Sequence, residues 1–198
     1  ALGSDRSVTE HVQGEEGSAP LRLRRHARAF FQGNRYLLEP LVQRVRALVP
    51  AGPVVDLYAG VGLFGLALAA SGAERVVLVE GDPVSGADLE HNAEPYGDRV
   101  RVERRSVEGF LRSYTAPRGA TVIVDPPRTG LSRDTLAALL RMRPARLVYV
   151  SCDPATLARD TRSVLDAGYE LEAITGFDLF PNTAHVEAVV AFTAGTPR

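Results

Sequence analysis

The chain has 198 residues, 45% of them hydrophobic and 24% charged, with 23 basic against 24 acidic side chains and a formal net charge of −1. That length and composition suit one soluble domain around a single core, and the near-neutral balance excludes a broadly basic nucleic-acid-binding surface. A single cysteine excludes an internal disulfide, no Cys/His cluster has metal-ligand spacing, and no apolar run is long enough to cross a bilayer.

No signal pattern opens the sequence, so the reducing cytoplasm is the default location. Every basic residue is an arginine. This reads first as composition bias and second as a supply of guanidinium forks for phosphate. Nucleic acid would have to meet a local patch such as LRLRRHAR (21–28).

Residues 1–30 stand apart from the rest. SVTEHVQ and LRLRRHA alternate as two short strands around the turn-rich GEEGSAP. They read as a β-hairpin linker or the remnant of a preceding domain, with the catalytic unit over 31–198. The first residue is Ala rather than Met, which suits a processed or excised chain. Phe30 and Phe31 read as packing at a helix entry. Asn34 can cap a helix over RYLLEPLVQRVRALV, with Pro40 inside it as a kink or break and PAGP as the stop.

From Pro53 onward the period alternates. Strand-like runs occur at PVVDLY, RVVLVE, RVRVE, ATVIVD and ARLVYVS. Helical patterns lie between or after them at GLFGLALAAS, PVSGADLEHNAE, VEGFLRSY, SRDTLAALLRMR and 154–166. The chain then ends in two strand-like runs, YELEAITGFDLF and HVEAVVAF, with no helix between. The pattern predicts an α/β fold: a mostly parallel sheet of seven strands, helices on both faces, and a C-terminal antiparallel hairpin.

DLYAGVGLFG (56–65) places Gly60, Gly62 and Gly65 between a strand and a helix, and Glu80 ends the next strand. Glycines let the backbone approach a ligand, and an acid at that place accepts hydrogen bonds from ribose hydroxyls. A dinucleotide would satisfy this loop. The carboxylate of Asp56 four residues before Gly60, together with the terminal hairpin, instead resembles the class I S-adenosylmethionine-dependent methyltransferases.

Ligands of open α/β sheets bind beyond the carboxyl ends of the strands, where two further corners converge. VDPPRTGL fixes Asp125 at a strand tip between stiff prolines. Arg128 stands where amino-group methyltransferases carry a base-stacking aromatic. YVSCDP delivers Cys152 to the second corner. Asp153 is a candidate N-cap and Pro154 a first helical residue, so the helix terminus is expected to favour the thiolate.

With FFQGN, DLYAGVGLFGLALA, VEGDPVSGADLEHNA, DPPRTGL, YVSCDPATLARD and FPNTAHVEAVVAF in one order over residues 30–192, the sequence resembles the RNA (uracil-5-)methyltransferase family, which makes 5-methyluridine in transfer or ribosomal RNA. The resemblance implies a Rossmann-like class I fold and S-adenosylmethionine as cofactor. It implies Cys152 as nucleophile and Glu187 as the base that removes the C5 proton. Gln32, Tyr58, Gly60, Leu63, Glu80 and Asp125 fall at the cofactor-contact positions.

His185, on the same strand face as Glu187, is placed to tune it. Ser106 replaces an Asp that many relatives set near the adenine, and Ala59 replaces a frequent cysteine. The family's N-terminal RNA-binding barrel and central domain have no counterpart in these residues, nor has the iron–sulfur cluster of some members. The expected partner is RNA (tRNA or rRNA), met by a monomer without membrane or metal. Three rivals remain: a nicotinamide oxidoreductase, a small-molecule methyltransferase that needs no Cys152–Glu187 pair, and a truncated domain that binds cofactor or RNA without turnover.

Overall fold

The computed structural model describes residues 6–13 and 20–195. The GEEGSA segment, expected from the sequence as a turn, lies outside the described residues. β1 (Ser7–Val12) and β2 (Leu21–His26) pair antiparallel. Leu21 and Leu23 face inward while Arg22 and Arg24 face out. The pair docks on α3 (Pro83–Ala93) through two buried polar side chains. Asn92 accepts from the Arg24 amide at 2.8 Å and donates to the Arg24 and Val61 carbonyls, and Asp88 accepts from the His26 amide.

α1 (Arg35–Leu48) begins at Asn34, whose side chain accepts from the Tyr36 amide at 3.1 Å. The helix runs through Pro40. The carbonyl that loses its partner there belongs to Tyr36, a 93% exposed residue of the first turn, where the loss is accessible to solvent and the helix continues unbroken.

The main sheet has the order β5-β4-β3-β6-β7-β9-β8. Its parallel strands are β3 (Val54–Leu57), β4 (Val76–Val79), β5 (Val100–Glu103), β6 (Thr121–Val124) and β7 (Arg146–Ser151). The antiparallel hairpin is β8 (Tyr169–Phe177) with β9 (Glu187–Ala194). The predicted seven-stranded class I architecture is therefore present.

β-branched residues fill the central strands because both faces are covered. Val54, Ile123, Val148 and Val189 pack on one side with α1, α2 (Leu63–Ala70) and α3 (Pro83–Ala93). Val55, Val122, Leu147 and Val190 pack on the other with α4 (Val107–Leu111), α5 (Arg133–Arg141) and α6 (Pro154–Asp166). A 3₁₀ turn over Glu94–Arg99, which hydrophobic period does not reveal, joins α3 to β5. No described helix is long and apolar enough to cross a membrane.

The order in which strands join the sheet reverses at β3. Strands β4 and β5 lie to one side and β6 and β7 to the other. Their carboxyl ends therefore leave a crevice at the switch point.

Candidate active site

That crevice is a cavity of about 540 Å³, within the usual size of ligand sites. All eight residues singled out from the sequence line it: Gln32, Tyr58, Gly60, Leu63, Glu80, Asp125, Cys152 and Glu187. A larger hollow of about 890 Å³ sits at the opposite ends of the strands, around Pro53, Ser71 and Arg75, and holds none of them.

One wall is the glycine loop. Tyr58, Gly60 and Gly62 all have positive φ, at 61°, 57° and 101°. The chain thus turns sharply off β3 and bares its backbone. Glu80 holds the turn from β4: its carboxylate accepts from the Gly60 amide at 2.8 Å and the Asp82 amide at 2.6 Å. Asp56 serves the same loop from beneath, accepting from the Gly65 amide at 2.8 Å while fully buried. Burial pushes the Asp56 carboxyl up to about 7, and Glu80 adds to the rise against the Gly65 bond.

Gly65 is obligatory for another reason. A Cβ there would lie 2.1 Å from Leu78 Cδ2, so α2 can approach the sheet only without one. The Tyr58 hydroxyl donates to Glu108 at 3.4 Å. Ser106 caps α4, accepting from the Gly109 amide at 3.1 Å.

The other wall is built at the tips of β6, β7 and β9. Ser151 pairs with Ala188 across β7 and β9. One residue beyond that pair, Cys152 leaves β7 and Glu187 begins β9, and both line the cavity. Cys152 is half-buried. Asp153 caps α6, accepting from the Thr156 amide at 2.8 Å, and Pro154 is the first helical residue, as the sequence predicts.

Glu187 is not a solvated strand-start residue. It is 1% exposed, its Oε1 has no hydrogen-bond partner, and burial pushes it up to about 7. Asp125 lies well above the carboxylate range through burial, with Glu187 and then Asp56 adding to it.

Three sequence expectations are corrected here. Against the thiolate expected from the helix terminus, the net push at Cys152 is upward: burial first, then the Glu187 carboxylate, raise the thiol, Asp125 adds to this, and Arg128 acts the other way. His185 is not seen to act on Glu187, whose rise comes from burial. Its ring meets Phe180 edge-on at 6.2 Å, and its charge bears on Asp153. Phe30 does not pack at the helix entry: it is 72% exposed at the cavity mouth, whereas Phe31 packs on the core.

Asp82, Ser85 and Phe180, not anticipated as site residues, also line the cavity. Asp82 caps α3 through the Val84 and Ser85 amides. The GDP step before that helix is the signal that could have found it.

A family model described as tRNA (Uracil-5-)-methyltransferase matches residues 17–194. The chain belongs to this family. The structure of the Pyrococcus abyssi tRNA (uracil-54, C5)-methyltransferase, in complex with S-adenosyl-L-homocysteine, is similar at TM-score 0.81 and 32% identity, over 95% of this chain and 44% of that one.

An uncharacterized RNA methyltransferase of Thermotoga maritima is 38% identical over 84% of this chain and 38% of its own length. One of Streptomyces coelicolor is 43% identical over 68% of this chain and 30% of its own. The chain thus spans less than half the length of these family members.

Proposed function

We propose that the chain is the methyl-transferring part of an RNA (uracil-5-)methyltransferase, acting on C5 of a uridine in transfer or ribosomal RNA. The observation that carries the reading is the meeting of Cys152 and Glu187 in the cavity that also holds the glycine loop and Glu80.

The residues present fit S-adenosylmethionine. Gln32 Oε1 is buried without a partner and is free to accept from an amino group. Glu80 keeps lone pairs for ribose hydroxyls beyond the two backbone bonds it accepts. Bound there, the cofactor supplies an electrophilic methyl group.

Uracil C5 is a weak nucleophile. In this reading the Cys152 thiolate adds to C6, forming an S–C6 bond and moving an electron pair onto C5, which would take the methyl group, the electrons of the broken methyl–sulfur bond leaving with S-adenosylhomocysteine. C5 then carries both hydrogen and methyl. Glu187 removes the proton, the C5–C6 double bond re-forms, and the thiolate leaves. A carboxyl near neutrality, buried and without a hydrogen-bond partner, suits that proton transfer. The target base must be turned out of its stack to reach the cavity.

The reading is tested by transferring labelled methyl from S-adenosylmethionine to total RNA and identifying the modified nucleoside. The expected product is 5-methyluridine, absent with Cys152→Ala. Label on another atom or base, or transfer that survives Cys152→Ala, would overturn the reading. Cofactor binding without any transfer would favour the binding-only domain.

A further inference from the structure

The DPPRTGL segment does more than place Asp125. Its residues 128–131 are stitched to α6, the helix that begins two residues after Cys152. The Thr156 hydroxyl donates to the Arg128 carbonyl at 3.2 Å, and the Arg159 guanidinium donates to the Thr129 and Leu131 carbonyls, each at 3.1 Å. The Leu131 amide donates to Asp160 at 2.9 Å.

Asp160, 2% exposed, also accepts from the Tyr149 hydroxyl on β7 at 2.7 Å and pairs with Arg159 at 2.8 Å. Gly130, at φ +69°, passes so close that a Cβ would lie 2.6 Å from Arg159 Nη2 and 2.8 Å from Asp160 Oδ2. One buried carboxylate therefore ties together the loop, the strand and the helix that frame the thiol.

Of the clamped residues, Arg128 is the one that lines the cavity together with Cys152. Charged groups face the thiol from each neighbouring element: Glu187 from β9, Asp125 from the tip of β6, and Arg128 from the clamped loop. On the thiol's own corner Asp153 is turned to its capping role, and His185, ahead of β9, bears on Asp153. The two carboxylates oppose a thiolate; Arg128 favours one.

We propose that Arg128, held in place by the Asp160 clamp, is the counter-cation that lets Cys152 ionise between two carboxylates. Arg128 shares the cavity with the thiol and acts on it by its charge, and Asp160 is a positioning residue. The inference rests on the reading of Cys152 as nucleophile, but its test needs neither RNA nor cofactor.

Because Cys152 is the single cysteine of the chain, iodoacetamide alkylation followed by mass reads one thiol. The rate is measured over about pH 6 to 10, where thiolate fraction governs it. Arg128→Ala is expected to move the profile to higher pH and slow alkylation near neutrality about three- to tenfold. Arg128→Lys recovers part of the loss. Asp160→Asn reproduces the shift of Arg128→Ala, and the two together shift no further. Thr156→Val, which removes the hydroxyl that holds the Arg128 carbonyl, serves if Asp160→Asn fails to fold.

A wild-type profile in Arg128→Ala overturns the proposal. So does an Arg128→Lys profile no better than that of Ala, because the loss would then not be one of charge. A folded Asp160→Asn with the wild-type profile overturns the clamp. Failure of methyl transfer bears instead on the nucleophile reading, so the two failures are separable.

Discussion

Glu80 and Glu187 are the same residue type, each at the end of a strand of one sheet and each lining one cavity, yet they are held in opposite ways. Glu80 has both oxygens engaged by backbone amides of its own turn. Glu187 is 1% exposed, keeps a bare oxygen and sits near neutrality. An acid with its bonds made fixes geometry. An acid denied both water and partners is held ready to exchange a proton. In the proposed reading, that difference separates a wall that holds a ligand from a wall that changes one.

The sharpest way to break this comparison is Glu187→Gln, which keeps the shape and removes the base. Methyl transfer is expected to fall about a hundred- to ten-thousandfold, while S-adenosylhomocysteine binding by calorimetry changes little. Equal losses in both would erase the distinction between the walls.

A second effect appears in stability. The folded Glu187 titrates near 7, above its ordinary 4.5, so between those values the fold keeps a proton that the unfolded chain has lost. Its contribution is full below about 4.5 and is lost as the pH rises toward 7. Asp56, raised from 3.8 to about 7, acts in the same direction. Chemical denaturation should therefore give a higher stability at pH 5 than at pH 8. Glu187→Gln should remove its share of that difference, on the order of 3 kcal/mol for a shift of this size.

The smallest effect is expected at the other wall. Glu80→Ala should weaken S-adenosylhomocysteine binding about tenfold by freeing the Gly60 and Asp82 amides. It should leave the Cys152 alkylation profile as it is.

Much of this architecture is legible in the sequence. The strand–helix alternation, the terminal hairpin, the Asn34 and Asp153 caps and the placing of Gly60, Glu80, Asp125 and Cys152 at one crevice follow from period, turn chemistry and the rule of strand ends, while Gln32, Tyr58, Leu63 and Glu187 come from the family resemblance. What was not legible depends on three-dimensional neighbours. Pro40 sits harmlessly in a helix because the carbonyl it orphans belongs to Tyr36, an exposed residue of the first turn. Phe30 turns outward because Phe31 takes the core position. The thiol rises first through burial and then through the charge of Glu187, 35 positions further along the chain, effects that a local reading of the YVSCDP corner omits.

The most direct test of the central claim, that Cys152 and Glu187 act as a pair on one base, uses RNA in which uridine is replaced by 5-fluorouridine. Fluorine at C5 gives Glu187 no proton to remove, so thiolate addition and methyl transfer should end in a covalent complex that survives denaturation. The expected result is such a complex with the wild-type chain and S-adenosylmethionine, carrying the methyl group and mapping to Cys152, and none with Cys152→Ala. A complex that forms equally well without the thiol would contradict the account.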